Sequence, residues 1–283
     1  MILHTQNELE ASLMLSKPPA NHPAIPATRR GIGLTLLTRT RNPSHLARRL
    51  YLSPGLAPHA FLSGETADGL AETLGEEIVD PSYFFTEHRW REHRRGLGLP
   101  EEPFPPGQSP GSDDTPNLDL MPTGTVGAVA LDVRGCIAAL SSTGGRTNKL
   151  VGRIGDTPLM GAGFWAEEWK ANGWVRKAWD RVLGRASKRA VGVSGTGDGD
   201  VRTSFCSSFI MFSLMVRYQY FIRLSTASTI ARRMRYLGEP LQQAAEAAVG
   251  DLYHDGAAGG VVALDGAGNG ESTLISCRLY SVG

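Results

Sequence analysis

The chain has 283 residues, enough for one large domain or two small ones. Its 29 basic and 28 acidic residues leave a formal net charge of +1, so nothing in the composition calls for nucleic acid or an anionic membrane as main partner. Three cysteines, Cys136, Cys206 and Cys277, form no CxxC pair and no metal-like spacing, and their odd number argues against a disulfide framework.

Residues 1–10 turn polar too soon for a secretory signal. No run reaches the roughly 18 apolar residues that a membrane helix needs. A soluble cytoplasmic protein is the default expectation. Residues 1–96 mix helix and strand signals. Ala60–Gly64 reads as a short strand ending in a turn, with a helix from Glu65 to Leu74 behind it. Asp80-Pro81-Ser82 opens a charged helical stretch from Tyr83 to Arg95, with Asp80 or Ser82 as its cap. Between Gly96 and Gly124, seven prolines and many Gly, Ser and Asp residues predict a flexible linker, which cannot bury enough apolar surface to order itself. His88 and His93, five apart, do not share a helix face as a metal pair would; the reading is a solvated helix and no metal site.

Past the linker, Thr125–Asp132 and Cys136–Ser142 alternate around Asp132-Val133-Arg134-Gly135, the pattern of a two-stranded hairpin. Phe164–Lys188 is basic and amphipathic, carries Trp165, Trp169, Trp174 and Trp179, and reads as a packed surface helix, with a lid or partner surface near the pocket as the alternative. Ala190–Thr196 predicts another short strand, running into Gly197-Asp198-Gly199-Asp200. Phe221–Leu237 has helical spacing, Pro240–Val249 continues as a second helix, and Gly259–Leu264 is a final clear strand before a turn at Asp265-Gly266. The glycine cluster at 195–199 lacks the GK[ST] of a phosphate loop.

Three segments stand out together: Gly124-Thr125-Val126-Gly127-Ala128-Val129-Ala130-Leu131-Asp132, then Ser141-Ser142-Thr143-Gly144-Gly145, then Gly152-Arg153-Ile154-Gly155-Asp156. Their order and spacing resemble the plant-type asparaginase family of N-terminal-nucleophile hydrolases, which also holds isoaspartyl peptidases and taspase-like threonine proteases. The match runs almost unbroken from Thr125 to Gly163. It extends more loosely over Leu46–Gly64, Val79–Arg95 and Gly259–Gly268.

A threonine hydroxyl is a weak nucleophile at neutral pH and needs a base beside it. An N-terminal threonine supplies its own, because a free α-amine has a pKa near 8 and stays partly neutral. The resemblance therefore implies self-cleavage at Gly124–Thr125, with Thr125 as nucleophile. It further implies that Thr143 contacts the freed amine, and that Arg153 clamps the substrate α-carboxylate with its bidentate guanidinium. Asp156 would receive the α-ammonium. Ser194 and Gly195 match the family's Thr-Gly oxyanion pair, and Asn148 falls where the family has asparagine near the site. No redox or organic cofactor is needed.

The implied fold is an α+β, four-layer αββα sandwich, a single domain that becomes two pieces, 1–124 and 125–283. The implied reaction is hydrolysis of the asparagine side-chain amide or of a β-aspartyl peptide, on a small-molecule or peptide substrate with an aspartyl or asparaginyl head group. The family commonly pairs two αβ units. A taspase-like endopeptidase cutting after aspartate and an inactive, uncleaved remnant are the alternatives.

The chain departs from the family pattern in three places. The opening strand and the His-Gly-Gly-Ala-Gly-like segment are not matched, so the sequence reads as N-terminally truncated. Val201–Gln219 adds 19 residues between Asp200 and Tyr220. Valine codons begin with GT and one glutamine codon is CAG, so an unspliced intron read through in frame would give such a segment. The tail from Gly270 to Cys277 matches the family's last strand poorly.

Overall fold

A computed structural model describes residues 7–100, 102, 124–170, 188–198 and 219–275. Strands β1 (Leu9–Leu15) and β2 (Gly31–Leu37) run antiparallel and lie near the start of the described chain. Both are buried along nearly their whole length. A strand covered on both faces loses the alternation that betrays a half-exposed one. Helix α1 (Pro43–Leu52) starts with proline in its first turn, where no N–H is missed, and buries Leu46, Ala47, Leu50 and Tyr51. Strand β3 (Phe61–Ser63) pairs in parallel with β2, and α2 (Gly64–Thr73) follows. The predicted strand and helix between residues 60 and 74 are therefore present.

The charged stretch after Asp80 is not one helix. The Asp80 carboxylate accepts from the Ser82 backbone N–H at 2.9 Å and caps a single 3₁₀ turn, Pro81–Phe84. The chain then extends through Phe85 and Thr86. Helix α3 (Glu87–Gly96) begins anew, with the Thr86 hydroxyl accepting from Arg89 N. The linker expected to lead up to Gly124 lies almost wholly outside the described residues.

The hairpin is formed by β4 (Val126–Leu131) and β5 (Ile137–Thr143). Its turn is set by Asp132, whose Oδ1 accepts from Arg134 N at 2.8 Å and Cys136 N at 2.7 Å. The outer edge of β5 pairs with β1, so the first sheet has the order β3-β2-β1-β5-β4. Strands from both sides of residue 124 thus share one sheet.

The second sheet is antiparallel, in the order β6-β7-β8-β9: β6 (Phe164–Lys170), β7 (Lys188–Asp198), β8 (Ala258–Asp265) and β9 (Gly270–Ile275). Phe164–Lys170 is therefore a strand and not the start of a surface helix. Phe164 and Ala166 are buried between the sheets and Trp169 on the opposite, helix-covered face, and the register with β7 fixes the assignment. Residues 171–187, including Trp174 and Trp179, lie outside the described residues. The poorly matching tail still forms β9 through Ile275.

The expected helix over 221–237 is broken into α4 (Tyr220–Leu224), α5 (Thr226–Arg232) and a π-turn at Arg233–Leu237. Ser225, with φ of 48°, makes the break. The cause is tertiary: the N–H groups of Ala227 and Ser228 donate to the carbonyls of Ala162 and Gly161 at 3.1 and 2.9 Å. Helix α6 (Leu241–His254) then packs on β8 and β9.

Apolar side chains gather in three places. Ile32, Leu34, Leu37, Leu46, Leu50 and Tyr51 join α1 to the first sheet. Val191, Val193, Ile230, Ala245, Val249 and Leu252 join α5 and α6 to the second. Between the sheets lie Met14, Ala139, Phe164 and Ala166. The sheets approach closely here, because a Cβ on Gly192 would stand 2.3 Å from Ile137 Cγ2. The architecture is α+β. Among the described residues, no helix is long and apolar enough to cross a membrane.

Candidate active site

Thr125 stands at the head of β4, the first residue before the paired segment. Val126 pairs with Ser142, so the next pair in that register is Thr125 and Thr143. The structure thus brings these two threonines to the same end of the hairpin. The Thr143 hydroxyl accepts from Gly145 N at 3.0 Å.

The hydroxyl that meets Thr125 directly belongs to a residue the sequence reading passed over. Thr196 Oγ1 donates to Thr125 Oγ1 at 2.9 Å. Ser194 lies two residues earlier on the same face of β7, buried between the sheets, and its Oγ is 2.7 Å from that of Ser141. Gly127 leaves room for it, since a Cβ there would lie 2.0 Å from Ser194 Oγ. Gly195 has its N–H engaged by the Gly163 carbonyl at 2.8 Å. The two residues matched to an oxyanion pair thus have contacts of their own, Ser194 to Ser141 across the sheets and Gly195 to the loop before β6. The missed signal was the period of two: position 196 shares a face with 194 and sits two residues nearer the end of the strand.

Arg153 and Asp156 lie on the loop between β5 and β6. Two carboxylates, Glu10 of β1 and Glu8 just before it, hold this loop. Glu8 Oε1 accepts from Gly152 N at 2.9 Å, while its Oε2 pairs with Lys149 Nζ at 3.1 Å. Glu10 Oε1 accepts from Gly155 N at 2.7 Å and from the Thr35 hydroxyl at 3.2 Å. Both glutamates are buried, which costs several kcal/mol per charge unless the charge is paired and hydrogen-bonded. Burial pushes the Glu10 carboxyl above the usual range; the Gly155 N–H is the largest opposing influence, followed by the charge of Lys149.

Asp156 carries the strongest perturbation. Burial pushes its carboxyl up to about 7; its own backbone N–H and Arg153 pull it down, and Glu10 adds to the rise. Its Oδ2 is buried without a hydrogen-bond partner. Among the described residues, no hydrogen bond or ion pair engages the Arg153 side chain. The loop thus carries a cation and, three residues on, a carboxylate with one unpartnered oxygen, an arrangement suited to the two charges of an amino-acid head group.

Asn148, in a left-handed conformation (φ 59°), accepts through Oδ1 from the His93 Nδ1–H, and its Nδ2 donates to the His93 carbonyl at 3.1 Å. It fastens the loop to α3. Residues 199–218 fall outside the described residues; Gln219, just past them, donates from Nε2 to the Ile154 carbonyl at 2.7 Å. Gly124, the residue before Thr125, is exposed.

The family model described as Asparaginase matches residues 6–172, more than half of the chain. The isoaspartyl peptidase of Escherichia coli K12 is 35% identical over 238 residues, covering 82% of this chain and 58% of that protein. A probable isoaspartyl peptidase/L-asparaginase 2 of Arabidopsis thaliana is 29% identical over 269 residues, covering 89% and 65%. The mouse isoaspartyl peptidase/L-asparaginase is 42% identical over 126 residues, covering 44% and 34%. The chain thus spans less than two thirds of the length of these relatives. With its threonine-headed hairpin and its arginine–aspartate loop inside the matched segment, the chain belongs to the asparaginase family.

Proposed function

We propose that this chain is a threonine amidohydrolase, activated by its own cleavage at Gly124–Thr125, that hydrolyses the side-chain amide of asparagine or the β-aspartyl bond of an isoaspartyl peptide. The observation that carries the reading is the buried Asp156 carboxylate oxygen with no partner, on the same loop as Arg153. A free α-ammonium would fill that vacancy, and Arg153 would take the α-carboxylate. The names of the relatives support the substrate class.

In this reading, Thr125 Oγ1 first attacks the Gly124 carbonyl. The C–N bond breaks, its nitrogen takes the hydroxyl proton, and water hydrolyses the resulting ester. The freed α-amine then serves as base in turnover. It takes the Oγ1 proton as Oγ1 attacks the substrate carbonyl, then returns it to the departing amine, and water releases aspartate from the acyl-threonine. Thr143, at the same end of the hairpin, is assigned to the amine, and Ser194 with Gly195 to the shaping of the site wall.

We further read the chain as a single four-layer αββα sandwich. After cleavage, the pieces 1–124 and 125–283 would stay joined, because β5 pairs with β1 along six residues. A cytoplasmic dimer of such αβ units is the proposed assembly. A taspase-like role is the weaker reading, since a protein substrate brings no free α-ammonium to Asp156.

Intact-mass spectrometry of the expressed chain tests the proposal. Two fragments, the second starting at Thr125, are expected, with release of aspartate from asparagine or a β-aspartyl dipeptide. Thr125→Ala should abolish both cleavage and release. A single uncleaved mass with no hydrolysis would identify an inactive remnant and overturn the reading.

A further inference from the structure

His93 lies on α3, in the piece that precedes Thr125; Asn148 lies on the loop that carries Arg153, in the piece that follows. Their contact has two prongs. Asn148 Nδ2 donates to the His93 carbonyl at 3.1 Å, so the other end of the amide, Oδ1, faces the imidazole as an acceptor. This fixes the ring's role: Nδ1 carries a proton and donates it to Oδ1. The Trp90 ring packs beside the imidazole, with centroids 5.6 Å apart, and holds its direction. One turn further along α3, Gly96 leaves room for the Asn148 amide, because a Cβ there would stand 2.2 Å from Nδ2. Helix α3, read from the sequence as solvated, therefore carries a built seat for one side chain of the loop.

We propose that His93 is a positioning residue for substrate binding, acting through Asn148 on the loop that carries Arg153; this rests on the reading of Arg153 as the clamp for the α-carboxylate. Between Asn148 and Arg153 the chain makes a turn, closed by Arg153 N on the Leu150 carbonyl at 3.0 Å. Leu150 and Val151 are each 59% exposed, so their side chains do not anchor this stretch. Lys149 reaches Glu8 only through the tip of a long side chain. The backbone around Arg153 is thus fixed on one side by Glu8 and Glu10 and on the other by the seat on α3. Without the seat, the Asn148 end is free to move, and the guanidinium is less often where the α-carboxylate binds. Thr125 stands on another element, so the loss falls on binding and not on the chemical step. The seat also bridges the scissile position: a helix of 1–124 shapes a substrate loop of 125–283.

The test measures KM and kcat on a β-aspartyl dipeptide, and the Kd of L-aspartate by calorimetry. The second readout needs no turnover, so failure of this proposal and failure of the proposed activity are told apart. His93→Ala removes the donor. His93→Asn restores an N–H at the δ position, and Gly96→Ala fills the seat while favouring the helix. Losing a hydrogen bond predicts that KM and Kd rise together by about 3- to 10-fold in His93→Ala and Gly96→Ala, with kcat per mole of N-terminal threonine close to the parent's. His93→Asn should recover most of the affinity. Asn148→Gly keeps the left-handed backbone and loses the amide; adding His93→Ala to it should weaken binding no further. Parent-like Kd in His93→Ala or Gly96→Ala would overturn the proposal, even with a lowered melting temperature, since α3 would then be a structural support only. So would an Asn variant as weak as Ala, or additive losses in the double variant. If His93→Ala fails to fold, Gly96→Ala decides. Arg153→Ala is the control: if it binds L-aspartate as the parent does, Arg153 is not the clamp, and the role of His93 falls with it.

Discussion

Glu10 on β1 and Gly155 on the loop after β5 are 145 positions apart in the chain, yet the Glu10 carboxylate accepts the Gly155 N–H at 2.7 Å. Through this bond the first sheet sets the height of the loop that carries Arg153 and Asp156. A Cβ on Gly155 would come within 2.6 Å of Glu10 Oε2, so any side chain there would have to displace the Glu10 carboxylate.

Glu10→Ala should leave the Gly155 N–H and the Thr35 hydroxyl unpaired. Each unsatisfied buried group costs about 1–3 kcal/mol. The melting temperature should therefore fall, and KM for an aspartyl substrate should rise several-fold, while self-cleavage continues because the Thr125–Thr196 contact is untouched. Glu10→Gln keeps an acceptor and should recover much of the loss. Thermal melts and steady-state kinetics check this; an unchanged KM in a folded Ala variant would remove Glu10 from the support of the head-group loop.

Asp156 gives the stability a defined pH dependence. Its folded pKa, about 7, lies above the ordinary 3.8, so the folded chain holds this proton more tightly than the unfolded one. Its stabilising share is complete below pH 4 and lost as pH rises to about 7. Three pKa units correspond to roughly 4 kcal/mol. Asp156→Asn should abolish this slope and melt higher than the parent at pH 8, while losing affinity for ligands with an α-ammonium. Such a ligand should bind the parent with proton release below pH 7, visible by calorimetry in buffers of different ionisation enthalpy. Identical melting of parent and variant at pH 5 and pH 8 would refute the assignment.

Gly127 and Ser194 meet where the two sheets face each other. Gly127→Ala would place a methyl 2.0 Å from Ser194 Oγ and 3.0 Å from its Cβ. Overpacking of this kind costs about 1–3 kcal/mol. Adding Ser194→Gly should return part of it, a coupling between sheets that additive costs would not produce. Denaturant unfolding of both single variants and the double variant measures it; strict additivity would mean that the backbone, not Ser194, blocks the methyl.

The sequence carried the hairpin headed by Thr125, the strand and helix between residues 60 and 74, and β8, because each is a local pattern of alternation and turn residues. It also carried the identity of the loop bearing Arg153 and Asp156, through ordered motifs. It did not carry β1 and β2, whose burial on both faces erases alternation, nor the strand hidden in Phe164–Lys170, whose tryptophans resemble a helix stripe until β7 pairs with them. The break at Ser225 depends on carbonyls at 161 and 162. The choice between Ser194 and Thr196 was likewise out of reach: period two says that they share a face, but only the distance between the sheets decides which hydroxyl meets Ser141 and which meets Thr125. Local pattern therefore determined where strands and turns form, and the packing of one sheet on the other decided which of their side chains touch.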